Sequence, residues 1–254
     1  MRCSILLCVF AAIASAQVDA NRIIDGQPAK VGQFPWQVLI TVETPDGPKS
    51  CGGTLLSNRW VLTAAHCTKK NFHSYNIWLG KIAQSETEEG SQIVVVRRLI
   101  VHPDYDGDHT NDISLLESLT DINFTDNIKP IPRLPQKGSV LPADTTITVS
   151  GWGRTEDDGP GSFYLNYVEL TTISNNKCWP NIGIVNDSVF CAVGHPSQAT
   201  CQGDSGGPAV TYEGNVATLV GIVSFGPVKC RNEVSAFVRV EYFLDFIHEH
   251  TDRR

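Results

Sequence analysis

The 254-residue chain is short of charge, with Asp, Glu, Lys and Arg making up 19% of it against roughly 25% in an average domain. Together with 21 Gly and 14 Pro, that scarcity excludes a coiled coil. Long hydrophobic runs are missing: no stretch reaches the roughly 20 apolar residues of a membrane-spanning helix. No C-x2-C pair occurs, which removes the common zinc-binding spacings. Low-complexity linkers and sequence repeats are also lacking. Basic residues are the minority, 20 against 27 acidic, for a net charge of -7. The surface as a whole therefore repels nucleic acid and anionic membranes. What is present is 41% hydrophobic residues, enough to form a core and exclude disorder. The length suits one large domain or two small ones.

The first residues read as a targeting segment. Arg2 precedes an apolar stretch, Ile5 to Ile13, which ends in Ala14-Ser15-Ala16. A positive start, a short apolar core and an A-x-A end predict a secretory signal peptide over residues 1–16. Cys3 and Cys8 leave with it. Six cysteines remain, namely Cys51, Cys67, Cys178, Cys191, Cys201 and Cys230. An even number in a secreted chain predicts three disulfides, in any of 15 pairings.

The body reads as mostly β. Apolar, β-branched runs of strand length cover Trp36–Val42, Ser91–Val101, Thr145–Ser150, Asn166–Ile173, Leu219–Phe225 and Ala236–Val240. Turn clusters such as Thr44–Pro48 and Glu156–Gly161 separate them. Many short strands with Gly/Pro turns predict a sandwich or barrel. Val240, Phe243, Leu244 and Ile247 instead fit the i, i+3, i+4, i+7 spacing, which predicts a C-terminal helix packing one face on the body.

Gly203-Asp204-Ser205-Gly206-Gly207-Pro208 is the strongest chemical signal. Small neighbours let a serine hydroxyl project from a tight turn and let a substrate carbonyl approach the backbone. Alone, such a segment is equally a surface turn. A serine hydroxyl needs a base, and His66 in Thr63-Ala64-Ala65-His66-Cys67 is the candidate, since a disulfide at Cys67 would fix its backbone. The other histidines, His73, His102, His109, His195, His248 and His250, read as ordinary polar residues. The imidazole needs an acceptor in turn. Asp112 leads into the apolar run Ile113-Ser114-Leu115-Leu116, which suits burial, whereas Asp104, Asp106 and Asp108 sit in a polar loop.

These segments resemble the chymotrypsin/trypsin-like serine proteases. The matching motifs are Leu62-Thr63-Ala64-Ala65-His66-Cys67, Asp112-Ile113-Ser114-Leu115-Leu116 and Gly203–Pro208, in that family's chain order. Cys51-Gly52-Gly53, Ser150-Gly151-Trp152-Gly153 and Gly221-Ile222-Val223-Ser224 match as well. The resemblance extends from Ile23 to the C-terminal helix. It implies an all-β fold of two six-stranded antiparallel Greek-key β-barrels packed together with a C-terminal α-helix. It gives His66 the role of general base and acid, Asp112 that of orienting group and Ser205 that of nucleophile. Gly203 and Ser205 would supply the oxyanion-hole N–H groups, and Ser224 would support Asp112. Residues 17–22 look like an activation peptide ahead of a protease domain over 23–254. Cleavage after Arg22 would free an Ile23 ammonium to pair with Asp204. The implied disulfides are Cys51–Cys67, Cys178–Cys191 and Cys201–Cys230.

The specificity pocket is read residue by residue. Ala199 falls at the floor position that is Asp in trypsin-like members, beside neutral Thr200. Gly226 leaves one wall open, and Ser235 aligns with the opposite one. A neutral, mostly apolar pocket predicts chymotrypsin-like cleavage after large apolar or aromatic residues. A collagen-cleaving or otherwise narrow protease is an alternative, and a non-catalytic homologue acting as a binding protein is another. Lys229, near the pocket mouth, reads as a solvated loop lysine or as a charge that disfavours basic substrates. Phe225 replaces the usual Trp. The loop Gly80–Gln92 resembles the family's calcium loop, but Lys81 and Gln92 stand at its two main glutamate positions, so no metal site is expected. Glu86, Glu88 and Glu89 read as a solvated acidic loop. Asn123-Phe124-Thr125 and Asn186-Asp187-Ser188 are N-glycosylation sequons. The resemblance implies peptide or protein substrates, an activating trypsin-like protease and protein inhibitors as partners. It implies no cofactor, and a secreted monomer is expected.

Overall fold

A computed structural model of the chain describes residues 23–44, 47–68, 74–84, 88–183, 186–194 and 198–252. The predicted signal and activation segments, His73, Glu86 and His195 lie outside them.

After a two-residue strand β1 (Gln27–Pro28) come β2 (Gln37–Thr44), β3 (Gly47–Leu55), β4 (Trp60–Thr63), β5 (Tyr75–Leu79), β6 (Gln92–Val101) and β7 (Ser114–Ser118). These last six close into a barrel in the order β2-β3-β4-β7-β6-β5. The second half contributes β8 (Thr146–Gly151), β9 (Asn166–Ile173), β10 (Val189–Val193), β11 (Pro208–Glu213), β12 (Val216–Phe225) and β13 (Ser235–Arg239). They run β9-β10-β13-β12-β11-β8, and β8 pairs back with β9, closing a second ring. In each barrel three strands run as a meander and the fourth, β5 or β11, returns beside the first, which is Greek-key order. The expected pair of six-stranded barrels is thus observed.

Side-chain alternation explains the strands. In β5, Tyr75, Ile77 and Leu79 point inward, and in β9 so do Asn166, Val168, Leu170 and Thr172. The C-terminal segment begins as a tight 3-10 turn, Val240–Phe243. A second helix follows it. One helix was not foreseen: α1 (Asn175–Ile182) contains Pro180 and three Asn, residues of low helix propensity. It is held to β10 by the disulfide Cys178–Cys191. The foreseen helix is α2 (Leu244–His250). Val240, Phe243, Leu244 and Ile247 are all buried, as their spacing predicts.

Candidate active site

The first barrel supplies His66 and Asp112. β4 ends at Thr63, whose hydroxyl donates to the Gly52 carbonyl at 2.8 Å. The next residues tighten into a 3-10 turn, Ala65–Cys67, that presents His66. The disulfide Cys51–Cys67 ties this turn to β3. Asp112 precedes β7, after Asn111, whose φ of 54° is one that Asn tolerates better than most residues. The His66 N–H donates to Asp112 Oδ1 at 2.8 Å, and His66 Nδ1 lies 2.7 Å from Oδ2. Ser224, near the end of β12, donates to the same Oδ2 at 2.6 Å. A carboxylate accepts only donors, so Nδ1 carries the proton and Nε2 presents its lone pair.

The second barrel supplies Ser205, on the turn between β10 and β11. Its carbonyl accepts from Gly52 N–H at 2.7 Å, and Gly206 N–H donates to Val223 at 2.8 Å. These bonds pin the turn to β3 and β12. Gly203 has a φ of 102°, which side chains avoid, and a Cβ there would press within 3.0 Å of Gly153. Asp204 points the other way and is fully buried. Its carboxylate accepts the N–H groups of Gly153 at 2.8 Å and Cys201 at 2.9 Å. Burial pushes its pKa up to about 7, against the opposing pull of those two N–H groups. A side chain at Gly151 or Gly153 would collide with this carboxylate. Ile23 is buried in the second barrel's apolar cluster with Ile147 and Val149.

Three cavities adjoin the site, the first sharing Ser205 with the second and Gly203 with the third. One of about 280 Å³ is shared by His66, Ser205, Gly203 and Cys67. A second, of about 180 Å³, runs between Ser205, Thr200, Val223, Phe225 and Gly226. The third, about 530 Å³, passes Trp152, Arg154, Phe163 and Gly203. Of the predicted pocket residues, Thr200 and Gly226 line the second cavity, but Ala199 and Ser235 stand behind its wall. Ala199 is buried against Ile24, Cys201 and Cys230. The Ser235 hydroxyl accepts from Thr200 Oγ1 at 2.8 Å. Lys229 is exposed. The face of Phe225 is covered by His109, stacked at 4.0 Å between centroids.

Sequence reading missed the ties around this pocket. Asp157, read only as part of a turn, accepts the N–H groups of Cys230 at 2.7 Å and Arg231 at 3.0 Å. Cys230 is disulfide-bonded to Cys201, two residues before Gly203. The N–H of Arg231, then that of Cys230, hold the Asp157 carboxyl below its usual range. Arg231 also pairs with Asp25 at 2.9 Å.

Glu88 corrects another expectation. It is not a solvated acid, because its carboxylate caps the N–H groups of Ile82 and Ala83 at 2.7 and 2.6 Å. Glu89 is exposed. Lys81 is buried there instead of a glutamate. Its ammonium donates to the Gln84 carbonyl at 3.1 Å and lies 4.5 Å from the centre of the Trp78 ring. A loop that offers an ammonium does not suit Ca²⁺, which takes about 6–8 oxygen ligands.

The family model described as Trypsin matches residues 23–247. A tryptase of Mus musculus is 32% identical over 249 residues, covering 91% of this chain and 89% of that protein. With two closed Greek-key barrels and a serine, a histidine and an aspartate gathered where they meet, the chain belongs to the trypsin family of serine proteases, the chymotrypsin/trypsin-like S1 peptidases.

Proposed function

We propose that this protease is a secreted endopeptidase, made as a zymogen, that cuts after large apolar or aromatic residues. The observation that carries the catalytic reading is Asp112 Oδ2, which binds His66 Nδ1 and Ser224 Oγ together. It orients the imidazole through Nδ1, and His66 and Ser205 line one cavity. Ser205 attacks the scissile carbonyl as His66 takes its proton. The N–H groups of Gly203 and Ser205 receive the oxyanion, and His66 then protonates the leaving amine. Asp112 stays ionised and stabilises the imidazolium.

Activation rests on Arg22, Ile23 and Asp204. A carboxyl whose pKa is raised by burial gains from any cation brought beside it. The ammonium released by cleavage after Arg22 is such a cation. Residues 1–16 are the signal peptide in this reading and 17–22 the activation peptide. The partners are an activating trypsin-like protease and protein inhibitors, and the enzyme is a monomer.

Specificity follows from the cavity of about 180 Å³, which no carboxylate lines among the described residues. An Arg or Lys side chain would be desolvated there without a partner, whereas burying a large apolar one gains about 1.5–3 kcal/mol. A basic preference is the second reading, favoured by the name of the tryptase relative. A fluorophosphonate probe tests the first step. Labelling of the cleaved enzyme at Ser205 is expected, and its absence would favour a non-catalytic homologue. A peptide library varied at the residue before the cut then decides specificity. Efficient cleavage after Arg would place the wrong residue at the pocket floor.

A further inference from the structure

Two cations stand uncompensated on one side of the reacting atoms. Lys49, exposed on β3, lines the cavity of about 280 Å³ that His66 and Ser205 share. Arg154 lines the cavity of about 530 Å³. Ser50 and Gly203 line both, so the two cavities adjoin there. Arg154 Nη1 donates to the Asp157 carbonyl at 3.2 Å and to Gln202 Oε1 at 3.3 Å. Both acceptors are neutral and leave the guanidinium its charge. Glu156 and Asp158, in the turn that follows, are exposed. Among the described residues no carboxylate forms an ion pair with Lys49 or Arg154, and none lines either cavity.

The chemistry decides which part of a substrate reaches these cations. The residue before the cut fills the cavity of about 180 Å³ bounded by Thr200, Phe225 and Gly226. The leaving amine must come to His66 for its proton. The chain after the cut therefore departs on the His66 side, past the disulfide Cys51–Cys67 and into the space that Lys49 and Arg154 line. A net charge of -7 makes the surface as a whole a poor partner for acidic peptides. Against that background, two unpaired cations beside the scissile bond make a local exception.

We propose that Lys49 and Arg154 select substrates carrying Asp or Glu among the first three residues after the cut. This rests on the catalytic reading above and names a substrate class for that same site. A carboxylate there meets a guanidinium whose planar N–H fork suits its two oxygens, and an ammonium that adds a second point charge. Trp152 and Phe163 line the cavity with Arg154. Their rings make its surroundings less polar than open water, which strengthens the attraction. Lys or Arg at the same positions is repelled.

The enzyme cleaved after Arg22 provides the test, with internally quenched peptides identical up to the cut. Asp, Asn or Lys is placed in turn at each of the three positions after it. At one or more of them, kcat/KM for Asp should exceed that for Asn by about five-fold at low salt, with Lys the poorest. The preference should shrink in about 0.5 M NaCl, which screens exposed charges. Lys49→Gln with Arg154→Gln should bring the Asp-to-Asn ratio close to one. That ratio compares two peptides on one preparation, so the fraction of the variant that folds does not enter it. An ester with the same acyl part has no residue after the cut and separates this proposal from the catalytic reading. Ester hydrolysis with a ratio near one at all three positions would overturn the proposal alone, as would a ratio that survives in the double variant. An enzyme inert toward the ester and the peptides would overturn the catalytic reading, and this proposal with it.

Discussion

At the scale of single residues, the chemistry rests on a few oxygen atoms. Asp112 Oδ2 holds both His66 and Ser224. Ser205→Ala or His66→Ala should each lower kcat by about 10⁶, because such groups act as a unit. Asp112→Asn should cost roughly 10⁴, the size established for the same pair elsewhere in this family. Steady-state kinetics on one peptide substrate would check both, and near-normal Ser205→Ala activity would end the assignment. Asp204 gives a different prediction. Burial raises its pKa from 3.8 to about 7 in the uncleaved chain. A carboxyl raised on folding contributes stability that is complete below its unfolded pKa and lost as pH climbs through the folded one. The precursor should therefore weaken between about pH 4 and pH 7, by roughly 4 kcal/mol at most. Melting temperatures of the Ser205→Ala precursor across that range should fall relative to those of Asp204→Asn, which has no such proton. Parallel curves would show that Asp204 does not titrate there. These residues were legible because their motifs are short and contiguous. Gln92 and Glu88 were not, because what each binds is a backbone group that no side-chain pattern announces.

At the scale of elements, legibility followed alternation. β9 matches its predicted span from Asn166 to Ile173, and β6 begins one residue late. β3, with Gly47, Gly52 and Gly53, and β4, only four residues long, carry too little alternating signal to be found that way. α1 is a helix that tertiary contacts and a disulfide impose on a poor sequence. The loops were the least legible and matter most for the substrate pocket. Asp157 joins one of them to Cys230, and so to the disulfide behind Gly203. Asp157→Ala should free the pocket's outer wall and raise KM several-fold, with a smaller change in kcat. Equal loss in both parameters would mean that the contact serves the chemistry itself. The Asp157 carboxyl is held low by its N–H partners. Its contribution is thus present above the ordinary carboxylate pKa and disappears only as pH falls through the lower folded value. The wall should stay tied throughout the neutral range.

At the scale of the whole molecule, the proposed activation site at Arg22 and the proposed apolar specificity oppose one another usefully. An enzyme that rejects arginine should not cut its own activation bond. Purified precursor, incubated alone at high concentration, should keep Arg22–Ile23 intact, while a trace of trypsin should cut it and release activity. N-terminal sequencing over time reads the result, and rapid self-cleavage would contradict the assigned pocket. The two barrels were foreseen from family resemblance, but the arrangement of their ends was not. β1, at the start of the described chain, adds to β9 of the second barrel. The C-terminal segment reaches back to the first, where Phe243 and Phe246 pack on His102 at 5.2 and 5.0 Å. Each half thus lends an arm to the other, as in two people linking elbows. The stretch from Leu119 to Thr145 is the single cord between them. A cut in that cord would leave both rings closed and both elbows linked, so the nicked pieces would part only when one arm lets go.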